Sequence, residues 1–181
     1  AFVIYFLFLN WQWHQSRKIT VGIIIIFAAL FRIVMLQTEP SLSDDIYRYL
    51  WDGRVQKAGI HPYAYPPDAR ELESIRDENH QYINHPSVRT IYPLMTQLVF
   101  RIGVTFSETI AMQRFLFVLF DVLSIFVIWK LLLIYQKPIG NLAVYAWNPL
   151  VIVEFSGSGH NDSLMLFFIL IGLLFYRQYQ K

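Results

Sequence analysis

The sequence predicts an all-α membrane protein with about five transmembrane helices and amphipathic interfacial helices in one long extracytoplasmic loop. Three observations carry this. The chain of 181 residues is 55% hydrophobic and only 15% charged, and its mean hydropathy is +0.38, more apolar than a soluble domain of this size needs. The apolar residues gather into blocks that approach the roughly 20 helical residues needed to cross a bilayer. A single long polar segment, 37–92, interrupts them. The net charge of +2 is too small to argue for nucleic acid, and the absence of Cys excludes a disulfide framework and cysteine-ligated metal. No signal-peptide pattern is present. The chain starts at Ala1 inside an apolar run and without Met, so a longer membrane protein is expected, with 1–181 forming a single transmembrane domain.

The five blocks are 1–13, 19–36, 109–135, 139–155 and 163–176. Basic residues set their orientation. His14-Gln15-Ser16-Arg17-Lys18 lies between the first two, Lys130 and Lys137 flank the turn between the third and fourth, and Arg177 and Lys181 follow the fifth. Alternation puts all three clusters on one side, read as cytoplasmic. The other side receives 37–92 and the short loop 156–162. The long segment holds nine Asp/Glu against six Lys/Arg, so it has no cationic excess. This is the pattern of a multi-pass membrane protein whose long polar segment lies on the extracytoplasmic side.

Within 37–92, Ser41 and Ser43 can each cap a helix whose first turn holds Asp44 and Asp45. That helix should run to about residue 57 and stop at Gly59. Prolines in Ile60-His61-Pro62-Tyr63-Ala64-Tyr65-Pro66-Pro67 exclude helix there. Asp68 is placed to cap a second helix reaching about residue 79. The stretch after Tyr92-Pro93, residues 94–106 with Arg101, suits an interfacial or partly inserted helix.

The candidate chemistry starts from the pair Asp44-Asp45. Adjacent helical residues point about 100° apart, so one could act as a general base while the other orients an acceptor or binds a cation. An Asp-Asp pair alone more often caps a helix; its place at a membrane interface, among polar and aromatic groups, is what raises its interest. Arg48 and Asp52 continue the Asp45 face. Arg48 can brace a carboxylate or meet a phosphate; Arg54 and Arg89 are weaker phosphate candidates. Tyr47, Tyr49, Trp51, Tyr63, Tyr65 and Tyr92 crowd the segment and suit the C–H faces of sugars, though interfacial belts also collect Tyr and Trp. His61, His80, His85 and His160 fall on the same side, where a His can meet a phosphate leaving group. Their spacing does not suit a metal site, and the acid pair leaves a divalent cation open. The loop Ser156-Gly157-Ser158-Gly159-His160-Asn161-Asp162 adds a second acid/histidine group on that side, and Asp162 can also cap the fifth span. Arg32, Asp121 and Glu154 interrupt apolar blocks and need partners or a cavity.

The strings Ser43-Asp44-Asp45-Ile46-Tyr47-Arg48-Tyr49-Leu50-Trp51-Asp52-Gly53-Arg54, Gly59-Ile60-His61-Pro62-Tyr63, Ile83-Asn84-His85-Pro86, Thr90-Ile91-Tyr92-Pro93, Ala146-Trp147-Asn148-Pro149-Leu150 and Gly159-His160-Asn161-Asp162 together resemble polytopic glycosyltransferases of the C-type superfamily, near its mannosyltransferase-like and family 87-like branches. The resemblance implies an N-terminal half of a longer enzyme. It implies transfer of a hexose, mannose-like, from a polyprenyl-phosphate donor, with inversion, on the extracytoplasmic face. It implies an acidic base in the first large outer loop, which maps to Asp44 or Asp45. Arg48, Asp52, Arg54, His85, Tyr92, His160 and Asp162 then become candidates for substrate or phosphate binding. The expected partners are membrane lipid, the lipid-linked sugar and other subunits of a membrane complex. His61 and Leu94 depart from the family pattern, which favours Asn and Pro there. Two other classes compete with the enzyme: a lipid or sugar transporter using the buried charges, and a non-catalytic membrane subunit.

Overall fold

A computed structural model describes residues 2–3, 5–7, 17–40 and 42–180. Every regular element among the described residues is helical: α1 (Arg17–Leu36), α2 (Asp45–Lys57), α3 (Leu94–Phe106), α4 (Ile110–Ile134), α5 (Leu142–Ala146), α6 (Pro149–Ile152) and α7 (Asp162–Tyr179), with 3₁₀ turns at Arg70–Ile75, Glu78–Tyr82 and Ile139–Asn141. Most of the first predicted block, the predicted cap Ser41 and the 14–16 part of the first basic cluster lie outside the described residues.

Helices α4 and α7 are long and apolar enough to cross a membrane. The 25 residues of α4 rise about 37 Å and the 18 of α7 about 27 Å. Side-chain pairings fix the directions. Ser163 bonds the Phe117 carbonyl near the start of α4, and Leu174 packs with Val127 and Leu131 near its end, so α4 and α7 run parallel. Arg32 of α1 meets Asp121, and Arg114 meets Met35 and Ser156, so α1 and the 139–158 segment run the opposite way. Arg17, Lys137 and Arg177 therefore belong to one end of the bundle, and residues 37–40, 42–45 and 159–162 to the other.

The count of five spans does not carry over. The fourth block is not one helix: it breaks at Trp147-Asn148, continues as α6, and widens into a π-helical turn over Val153–Ser158. The cause is local. The residue before a proline avoids the helical region, and Asn148 sits at ψ 118° with its side chain capping Leu150 N. Pro149 then starts the next turn without needing a donor. The described apolar part of α1 is Val21–Leu36, shorter than either candidate span.

Four buried or partly buried charges of the apolar blocks, Arg32, Arg114, Asp121 and Glu154, find partners. Arg32 and Asp121, 1% and 0% exposed, pair at 2.6 Å. Tyr145 donates to the same Asp121, and Arg32 also donates to the Ala28 and Ala146 carbonyls. Arg114 donates to the carbonyls of Met35, Thr38 and Ser156, tying the end of α1 and the π-helical turn to α4. Glu154 meets His160.

At the polar end, α2 closes as expected at Gly59. Its φ of +79° and the bonds from Gly59 N to Gln56 O and from Ile60 N to Val55 O form a Schellman motif. The single helix expected from Asp68 is replaced by two 3₁₀ turns. Arg76 and Asp77 are extended between them, and Asp77 accepts from Asn79 N to start the second turn. Helix α3 packs flat on α2. A Cβ on Gly53 would stand 2.5 Å from Phe100 O and 2.6 Å from Val104 Cγ2. Gly53→Ala gains up to about 1 kcal/mol of helix propensity, but the backbone oxygen cannot yield, and overpacking costs about 1–3 kcal/mol. The variant should melt at a lower temperature in detergent; an unchanged or raised midpoint would show that α2 and α3 can part without loss.

Candidate functional site

The helical turn separates the two acids. Ser43 Oγ accepts from Asp45 N at 3.2 Å and fixes where α2 begins. Asp44, at the cap position, is exposed and makes no side-chain cap bond. Asp45 turns inward, is half-buried, and its Oδ1 accepts from Asn84 Nδ2 at 3.0 Å. One turn on, Tyr49 is buried in the apolar cluster that joins α2, α3, α4 and α7. Its ring stacks on Phe100 at 4.6 Å and meets Tyr92 edge-on at 5.0 Å. Burial first, then the charge of Asp45, pushes the Tyr92 phenol up to about 12. Burial also raises Tyr49, with Tyr92 and Asp45 adding to it. Both phenols therefore stay protonated near neutral pH and serve as hydrogen-bonding groups beside Asp45.

The loop 159–162 joins this cluster. Asn161 Nδ2 donates to Tyr49 Oη at 3.0 Å, across 112 residues of sequence. Gly159 takes a left-handed conformation, φ +77°, and packs so tightly that a Cβ there would stand 2.8 Å from Arg114 Cγ and 3.2 Å from Ile46 Cδ1. Only glycine suits both demands. Beside it, His160 Nδ1 lies 2.9 Å from Glu154 Oε2, while His160 Nε2, Ser156 Oγ and Ser158 Oγ are buried without a hydrogen-bond partner. The two polar stretches singled out in the sequence thus meet at one end of the bundle. Asp162 opens α7, exposed; the cap position belongs to Asn161, whose side chain makes no cap bond.

Of the cationic candidates, Arg48 and Arg54 are committed elsewhere, while Arg89 is exposed. Arg48 is buried, donating to Asp52 Oδ1 at 3.0 Å and to the Val88 carbonyl at 2.8 Å. Asp52 also accepts from Gln97 at 2.8 Å. Burial holds the Asp52 carboxyl above the usual range, against the pull of Arg48, Thr90 and Gln97. Arg54 donates to Asp77 at 2.6 Å and Glu108 at 3.1 Å. That bond to Arg54 is the main cause of the lowered Asp77 carboxyl, while Glu108 is lowered first by Lys57. Arg48, Asp52 and Arg54 brace the polar segment from within and do not open toward Asp45. His85 is exposed, with φ +48°. No group of three or more potential metal ligands occurs among the described residues.

Sequence reasoning placed Tyr49 only among the aromatic rings of the segment, overlooked Asn84 and Asn161 as parts of the site, and gave Glu154 no partner. Asn84 and Asn161 lay inside quoted motifs, but neutral amides carry no chemical signal until their partners are known.

A family model described as "Alpha-(1->6)-mannopyranosyltransferase, N-terminal domain" matches residues 1–180. Among curated proteins, the chain is 24% identical over 148 residues to alpha-(1->6)-mannopyranosyltransferase A of Corynebacterium glutamicum, covering 78% of this chain and 30% of that protein. It is 27% identical over 157 residues to alpha-(1->6)-mannopyranosyltransferase B of the same organism, covering 81% of this chain and 25% of that protein. The matched part is thus under a third of either relative. No solved structure matches significantly.

Proposed function

The chain belongs to the alpha-(1->6)-mannopyranosyltransferase family through its N-terminal domain, and on that premise we propose that it carries the acceptor-activating part of a membrane mannosyltransferase. The donor is a polyprenyl-phosphate-linked mannose, and the reaction takes place at the extracytoplasmic face. Asp45 is the base. It removes the proton of an acceptor hydroxyl as that oxygen bonds to the anomeric carbon. The bond from that carbon to the phosphate oxygen breaks, its electron pair leaving with the polyprenyl phosphate on the opposite side, so the configuration inverts. His85, which is exposed, is the group offered to the departing phosphate, because Arg48 and Arg54 are held by carboxylates and His160 by Glu154. Tyr47 and the exposed Tyr82, with ring centroids 5.0 Å apart, offer apolar faces to a sugar.

The observation that supports this reading most is the joining of Asp45, Tyr49 and Asn161 from two distant polar stretches at one bundle end. A transport path would need buried charges open to a substrate, whereas Arg32 and Asp121 bond each other. The test offers the purified native protein polyprenyl-phosphate mannose and a mannoside acceptor. An α-1,6-linked product is expected, with none formed directly from a sugar nucleotide. Uptake by sealed vesicles without any new glycosidic bond would overturn the proposal.

A further inference from the structure

Among the described residues, Asn84 donates a side-chain hydrogen bond to the Asp45 carboxylate, and nothing in the proposed reaction uses it. It reaches Asp45 from 39 residues away at 3.0 Å and lies half-buried. The chain around it is built to hold it there. Ile83, just before it, is buried with Trp51, Val55 and Leu72. His85, just after it, holds a left-handed φ of +48°, a conformation that costs a non-glycine residue about 1–3 kcal/mol and persists only where the surroundings enforce it. Val88, three residues further on, is anchored through its carbonyl to Arg48 on the same helix as Asp45.

We propose that Asn84 is a positioning residue for Asp45. Its amide fixes Oδ1, so that Oδ2 is the oxygen left to take the acceptor's proton and its direction is set by the side-chain plane. A carboxylate at a helix N-terminus can otherwise rotate about its terminal bond, which is broad and weakly restrained. A base is effective only when its oxygen lies within hydrogen-bond reach of the proton it removes, so the gain is in kcat. The inference rests on the base role proposed for Asp45.

The same outer segment holds a matched control. Asn79 Nδ2 donates to the Asp77 carboxylate at 3.1 Å, the same kind of bond away from the site. In the native protein purified in detergent, Asn84→Ala and Asn84→Asp should each lower kcat about tenfold to a hundredfold, the scale of one hydrogen bond to a charged group. Their KM values for donor and acceptor should stay within about twofold, and Asn79→Ala should keep wild-type kinetics. Size-exclusion profiles and melting midpoints normalise the rates to folded protein. A wild-type kcat in Asn84→Ala beside an inactive Asp45→Asn overturns the inference and leaves the base assignment standing. An equal loss in Asn79→Ala, or a rise in KM alone, also overturns it, by reducing Asn84 to a loop staple. An active Asp45→Asn removes both the base and the residue that positions it.

Discussion

Asp45→Asn should lower mannosyl transfer by about two to four decades, the usual contribution of a positioned general base, while Asp44→Asn stays within a few-fold of wild type. Asparagine keeps the size of the side chain and its ability to accept from Asn84 Nδ2, but it cannot take a proton at neutral pH. The fold should therefore survive and the chemistry should not. The asymmetry between neighbours follows from the 100° helical step: Asp44 faces solvent, and Asp45 faces Asn84, Tyr49 and Tyr92. Initial rates at saturating donor, normalised to folded protein, measure both variants. The opposite ranking would move the base to Asp44. Equal wild-type rates in both would show that neither member of the Asp44-Asp45 pair is the base.

The sequence carried α2, its stop at Gly59, α4 and α7, because each rests on local signals: a proline-flanked or glycine-closed boundary, or a long apolar run. The break in the fourth block also had a local signal, Asn148-Pro149, but the apolar run around it outweighed that pair in a reading based on hydropathy. The helix expected from Asp68 to about residue 79 gives way to two turns because Asp77 looks like an ordinary helical acid until its side chain is seen capping Asn79. At the site, residue type pointed to the Asp44-Asp45 pair, without choosing between them, and to the loop at His160. It could not show which arginines were free. Arg48 and Arg54 differ from a phosphate-binding arginine only in having Asp52, Asp77 and Glu108 within reach. Asp52 lies one turn from Arg48 on α2, but the Asp77 partnership depends on how the 59–92 segment folds back over α2, and the Glu108 one on where α3 ends. The Asn84 and Asn161 contacts span 39 and 112 residues, and no periodicity encodes them.

The second large effect is expected far from the site, in the apolar part of the bundle. Asp121→Asn should sharply reduce the folded protein recovered in detergent. Breaking a buried ion pair from one side costs about 3–5 kcal/mol, a large share of the stability of a typical domain. Arg32 would be left with its charge uncompensated among α1, α4 and the broken segment. If the pair mattered only through its charges, replacing Arg32, Asp121 and Tyr145 together by Met, Leu and Phe would restore stability, as apolar replacement of buried pairs often does. Here it should restore only part. The break at Asn148-Pro149 diverts Leu150 N to the Asn148 side chain, so the Ala146 carbonyl loses the helical donor four residues on. Arg32 Nη1 supplies that donor at 2.9 Å. The triple variant leaves the carbonyl without it, a cost of about 1–3 kcal/mol for a buried polar group. Melting midpoints in one detergent should therefore rank wild type above the triple variant and the triple variant above Asp121→Asn. A triple variant as stable as wild type would show that Arg32 serves Asp121 alone and that the broken helix needs no donor from α1.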